Sequence, residues 1–295
     1  MTLLVVVLGA SGMLGQALAR EADRRGAQLV GVARSGAQCA VDATDQRALY
    51  AVLDEVRPRV VINAAADTSL ESCERNPGAA YSINARLPAF LAEYCHVWKI
   101  KLVQISTDHY FTGDANQLHD ESASIRLLNE YARTKFAGEA FAATCPRSLV
   151  LRTNLVGFRG WEGRPTFAEW AIDALTQSQP VTLFDDFFTS SIDVGRFAEV
   201  VFRLLEVDAD GLLNVGARTP VSKWEFVLKL ARRLSLDAGH CRKGSVRTLQ
   251  GPLRAESLGL DVRKAERALG TRLPDTDEVI DALAVRYMEL RDAIR

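Results

Sequence analysis

Apolar positions along the chain fall into two alternating rhythms. Near-continuous apolar runs at residues 3–8, 29–33, 59–63, 101–106 and 149–153 read as strands. Such runs are buried on both faces, as in a parallel sheet covered by helices. Between them lie longer segments with apolar residues at helical spacing: residues 13–25, 46–56, 79–98 and 130–143. The alternation predicts an α/β protein with a Rossmann-type, doubly wound parallel sheet.

After Thr153 the rhythm breaks. Gly157, Gly160, Gly163 and Pro165 mark a loop, and helices are expected at 167–177, 194–206, 224–234 and 277–294. In the last of these Val279, Leu283, Tyr287 and Leu290 share one face. Short strands at 181–184 and 212–215 are interleaved. Residues 1–153 are therefore expected to form a dinucleotide-binding domain, with later segments returning to its sheet. Residues 154–295 would form mainly a smaller substrate-binding lobe.

Composition narrows the partners. The 295 residues carry 36 Lys and Arg against 37 Asp and Glu, a formal net charge of −1. That balance gives no reason to expect a nucleic-acid polymer or a membrane surface. The five cysteines form no CxxC pair, so neither a disulfide framework nor a structural metal is expected. The apolar start, residues 1–8, lacks a basic segment and runs straight into Gly9-Ala10-Ser11-Gly12. It reads as a buried strand, and a cytoplasmic location follows as the expectation.

The run Gly9-Ala10-Ser11-Gly12-Met13-Leu14-Gly15 lies between the first strand and the first helix. Glycines there let a pyrophosphate approach the main chain, and the helix N-terminus offers N–H groups and a positive dipole end. The second strand ends in Ala33-Arg34-Ser35 with no acidic residue. Arginine suits a ribose 2′-phosphate, so NADPH is expected over NADH, with NADH as a second cofactor. Asp42 is better placed for the adenine edge. Ala64, Ala65 and Ala66, after Asn63, are small enough for the nicotinamide half to lie against the sheet.

Tyr131 and Lys135 stand four apart, on one face of a predicted helix. A carbonyl receiving hydride needs a proton, and a phenol can give it once a nearby cation stabilises the phenolate. Ser106 and Thr107 end the preceding strand, where hydroxyls reach the ligand side of an open sheet. One of them can polarise the carbonyl. His109 is an alternative acid.

With glycine turn, hydroxyl strand end and Tyr/Lys helix in order, the chain resembles the extended short-chain dehydrogenase/reductases, and within them the dTDP-4-dehydrorhamnose reductase group. The resemblance also takes in Ile83-Asn84-Ala85, Asn129 to Glu139, Leu151-Arg152-Thr153 and Leu258 to Asp261. It implies a catalytic trio of Thr107, Tyr131 and Lys135, with Ser106, Asn84, Tyr131 and Lys135 on the cofactor. It also implies a nucleotide-linked sugar as substrate and a place in dTDP-rhamnose or polysaccharide biosynthesis. Candidates for the sugar nucleotide are Thr68, Thr107, Asn154, Arg159, Trp161, Phe188 and Arg254. The guanidinium of Arg254 matches a diphosphate in a bidentate way. Asn154-Leu155 and Asp185 to Ser191 depart from the group's pattern in the substrate half. A sugar epimerase and a non-catalytic binding relative are the rival readings, and a homodimer is left open.

Overall fold

A computed structural model describes residues 2–161 and 163–294. Met1, which opens the apolar N-terminal run, lies outside the described residues. In chain order the first elements are β1 (Leu4–Leu8), α1 (Met13–Arg24), β2 (Gln28–Ala33), β3 (Cys39–Ala40), α2 (Gln46–Val56) and β4 (Val60–Asn63). Then come α3 (Leu70–Arg75), α4 (Pro77–Tyr81), a π-helical stretch (Ser82–Arg86), α5 (Leu87–Trp98) and β5 (Lys101–Ile105). β6 (Leu118–His119), α6 (Glu130–Ala142), β7 (Ser148–Arg152), β8 (Leu155–Val156), α7 (Phe167–Thr176) and β9 (Val181–Phe184) follow. The remainder is β10 (Phe188–Thr189), β11 (Ile192–Asp193), α8 (Val194–Glu206), β12 (Gly211–Asn214), β13 (Val221–Ser222), α9 (Lys223–Leu234), β14 (Cys241–Gly244), β15 (Ser257–Leu260), α10 (Arg263–Leu269) and α11 (Thr276–Ile294).

The chain divides into two compact units. The first, residues 1–107, 127–152 and 198–213, holds a seven-stranded sheet in the order β12-β7-β5-β4-β1-β2-β3. Its β1–β2, β2–β3, β1–β4, β4–β5 and β5–β7 pairs are parallel. The order reverses between β1 and β4, so the ends of those strands, at Leu8 and Asn63, form the switch point where such sheets take their ligands. Val6, Leu8, Val61, Leu91 and Leu102 are among the fully buried residues of its core. The edge strand β12 comes from late in the sequence.

The second unit comprises residues 108–126, 153–197 and 214–295. Its four-stranded sheet runs β13-β10-β15-β6, accompanied by the parallel pairs β8–β11 and β9–β14. Val221, Phe226, Leu230, Val279 and Leu283 pack as its core, with Tyr287 against them. Residues 108–126, placed by the sequence reading in the first domain, group with this unit. Among the described residues no helix is long and apolar enough to cross a membrane.

One expected element is corrected. The single helix predicted over 79–98 is broken into α4, the π-helical stretch and α5. Pro88 is the physical reason: it has no N–H to give the carbonyl of Asn84, four residues back, so the α-helical ladder cannot run through.

Candidate active site

The first unit's glycine turn is built around close main-chain contact. Gly9 has φ +79°, and a Cβ there would stand 2.8 Å from the main chain of Ala64 and Ala65. The glycine turn and the alanine run are thus neighbours at the switch point. Gly12 caps α1 with no side-chain bond, which leaves the first-turn N–H groups of Met13, Leu14 and Gly15 without an upstream helical carbonyl. The tight Gly9 turn and the uncapped helix start fit a dinucleotide pyrophosphate. Ser11 is half-buried, and its carbonyl accepts from the Gln16 amide at 3.1 Å.

Arg34 is exposed just beyond β2. Asp42, also exposed, accepts from the Thr44 amide and hydroxyl. Those two bonds, with Arg34 through space, hold its carboxyl below its ordinary range. Asn63 is fixed by a 2.8 Å bond to Gln104 and accepts from the Ala65 amide, which shapes the alanine run. Thr68 is exposed.

Thr107, Tyr131 and Lys135 all belong to this unit and are all buried. Asn129 caps α6 by accepting from the Ala132 amide at 2.8 Å. This fixes where the helix begins, and with it the facing of Tyr131 and Lys135. The Tyr131 ring packs with Leu70, Cys73 and Ala80. The Lys135 ammonium donates to the Ile105 carbonyl at 2.7 Å. Burial lowers its pKa to about 8, while Glu139 and Cys73 act in the opposite direction.

Behind this pair lies a network that the sequence reading missed. Ser106 donates to Glu139 at 2.5 Å, and Glu139 receives Arg152 in a bidentate pair, with the closest approach 2.8 Å. All three residues are buried. Helix α6 therefore holds the end of β5 twice, through Lys135 and through Glu139. The available signal was Glu139's place one helical turn beyond Lys135. Ser106, expected on the cofactor, directs its hydroxyl to Glu139. Asn84, expected there too, accepts from the Asp67 amide at 3.0 Å. It donates to the Asp67 carbonyl and to Thr134, tying the 67 loop to α6.

In the second unit Asn154 accepts from Ser191 at 2.7 Å. Phe188 lies on β10, between β13 and β15. The Arg159 guanidinium sits 4.3 Å from the exposed Trp161 ring. Arg254 is half-buried and acts through space on His109. Burial, aided by Lys223 and Arg254, lowers the His109 pKa to about 4. Its imidazole is therefore neutral at neutral pH, which argues against His109 as the proton donor.

A family model described as the RmlD substrate binding domain matches residues 1–288. The chain belongs to this family. Among relatives of the RmlD family, a probable low-salt glycan biosynthesis reductase of Haloferax volcanii is 30% identical over 293 residues, 96% of this chain and 98% of that protein. The dTDP-4-dehydrorhamnose reductase of Mycobacterium tuberculosis is 32% identical over 212 residues, 70% of this chain and 67% of that one. In fold the chain is similar to the dTDP-4-dehydrorhamnose reductase of Bacillus anthracis, solved in complex with NADP. The TM-score is 0.87 at 24% identity, covering 97% of this chain and 99% of that one.

Proposed function

We propose that the chain is an NADPH-dependent reductase of the 4-keto group of a nucleotide-linked deoxysugar, of the dTDP-4-dehydrorhamnose reductase kind. The observation that carries this reading is the buried Tyr131/Lys135 pair on α6, bonded to the strand end that presents Thr107. The names of the family relatives support it from a separate direction.

Gly9, Ser11, Gly12, Met13, Leu14 and Gly15 would cradle the pyrophosphate. Arg34 would meet the 2′-phosphate and Asp42 the adenine edge, with Ala64, Ala65 and Ala66 beneath the nicotinamide half. The bound dinucleotide supplies the hydride. Thr107 donates a hydrogen bond to the ketone oxygen, and Tyr131 gives that oxygen its proton. Lys135 stabilises the resulting phenolate by charge. Asn154, Phe188 and Arg254 are the candidates for binding the sugar nucleotide, with Arg254 suited to a diphosphate.

The experiment is NADPH oxidation, followed spectrophotometrically, with a panel of nucleoside-diphosphate 4-keto-deoxysugars. Stoichiometric NADPH consumption on a dTDP-linked ketone is expected. Isomerisation of a sugar nucleotide with no net NADPH consumed would replace this reading by the epimerase, and no turnover with any ketone would end it.

A further inference from the structure

Lys223 is the first residue of α9, within the second unit. A cation at that position opposes the positive end of the helix dipole. Its stem is half-buried, and its ammonium lies 4.4 Å from the centre of the Phe167 ring, 5.8 Å from Phe187 and 6.0 Å from Phe226. Burial beside a helix start is a costly place for a charge, and the three ring contacts offset only part of that cost. Among the described residues no carboxylate stands within ion-pairing distance of it. Asp108 acts on it through space.

Among the described residues the ammonium's one hydrogen bond leads elsewhere. It donates to the Thr189 hydroxyl at 3.3 Å. Thr189 is 2.9 Å from the Ser191 hydroxyl, and Ser191 donates to Asn154 at 2.7 Å. Because Lys223 can only donate and Asn154 accepts, the direction of the chain is fixed: Lys223 to Thr189 to Ser191 to Asn154. Asn154 thus has its carbonyl oxygen held, and its NH₂ is the free end of the amide. His109 shares the Phe187 ring with Lys223, at 6.3 Å between centroids, and feels both Lys223 and Arg254. Two cations, Lys223 and Arg254, thus act on one neutral imidazole within this unit, a setting that favours an anion.

We propose that the Lys223 ammonium anchors an anionic oxygen of the sugar-nucleotide substrate, and that the Thr189–Ser191 hydroxyl chain ties this anchor to Asn154. The inference rests on the sugar-nucleotide reading given above. The anionic oxygen has two sources, the diphosphate or a carboxylate on the sugar. Cation–π contact with the rings keeps the ammonium in place when no anion is bound.

The test is titration calorimetry on the full chain with dTDP, inorganic pyrophosphate and UDP-glucuronate, using wild type, Lys223→Met and Lys223→Arg. For a diphosphate anchor, Lys223→Met weakens dTDP and pyrophosphate about tenfold or more, and Lys223→Arg restores part of the loss. For a carboxylate anchor the loss is confined to UDP-glucuronate. In either case NADPH affinity is unchanged and Tm rises, since an unbalanced charge has left an aromatic site. Unchanged affinity for all three probes, or a fall in Tm with equal losses for NADPH, overturns the anchor. Wild type that binds pyrophosphate through Lys223 but no nucleotide would keep the anchor and sink the sugar-nucleotide reading. Wild type that binds none of the three would sink both. If Lys223→Met does not fold, dTDP affinity of the wild type between about pH 7.5 and 9.5 decides. It should fall as the ammonium, which burial brings to about 8, deprotonates, because His109, lowered to about 4, stays neutral across that range. A flat profile overturns the anchor.

Discussion

The Lys135 ammonium is bonded to the Ile105 carbonyl at 2.7 Å, so the helix carrying the phenol and the strand carrying Thr107 are fastened by the same side chain that charges the site. Replacing it should therefore do two kinds of damage. Lys135→Met is expected to lower both kcat and NADPH affinity, measured by steady-state kinetics and by fluorescence titration of the cofactor. Loss of turnover with unaltered NADPH binding would restrict the lysine to the proton step.

Tyr131→Phe keeps the ring among Leu70, Cys73 and Ala80 and removes only the hydroxyl. Positioned acid catalysis contributes about 10²–10⁴-fold, and kcat should fall by that much while the NADPH dissociation constant barely moves. The Tyr131→Phe, Lys135→Met double variant should fall short of the product of the single effects, since the ammonium then has no phenol to tune. Near-normal kcat in the phenylalanine variant would remove Tyr131 from the mechanism.

The pH dependence follows from Lys135. Burial lowers its pKa to about 8, so the charged form is lost as pH rises through that value. Reductase activity is expected to decline on the alkaline side with a midpoint near there. Glu139 opposes the burial effect, so Glu139→Gln should move the limb to lower pH. Stability runs the other way. An unfolded lysine keeps its proton to about pH 10.4, so between the two values the folded state binds fewer protons and gains stability with rising pH. A pH–kcat profile of both proteins, paired with Tm across the same range, checks the two signs together.

Glu139→Ala removes the carboxylate that Arg152 grips and that Ser106 reaches. Breaking a buried pair at one partner costs about 3–5 kcal/mol, to be read from urea denaturation. A loss under about 1 kcal/mol would mean that the network is not a support for the end of β5.

Arg34→Ala should raise the KM for NADPH roughly ten- to hundredfold, the size of a lost charge-assisted bond, and leave the KM for NADH nearly unchanged. Equal effects on the two cofactors would make Arg34 a general structural residue.

Much of the fold was legible because its signals are local. The strands β1, β2, β4, β5 and β7 fall on apolar runs, and α2 and α8 fall where their periodicity predicts. The placing of Tyr131 and Lys135 on one face needed only their spacing. What the sequence hid depends on contacts distant along the chain. The Glu139–Arg152 pair joins α6 to β7, and the Lys223 ammonium meets rings from residues 167, 187 and 226. The broken helix was missed for a different reason, because the apolar rhythm of 79–98 passes through Pro88 unchanged and only the missing N–H betrays it.

Pro88 has a consequence beyond its own helix. A Cβ at Gly138 would stand 2.1 Å from the carbonyl oxygen of Asn84, the same oxygen that Pro88 leaves without its α-helical donor. The backbones of α6 and the π-helical stretch are thus in direct contact, three residues from Lys135. At Gly138 main chain meets main chain, with the Pro88 ring also close, at 3.2 Å from such a Cβ, so the depth of α6 at this point depends on position 138 having no side chain. Position 138 has a vocabulary of one.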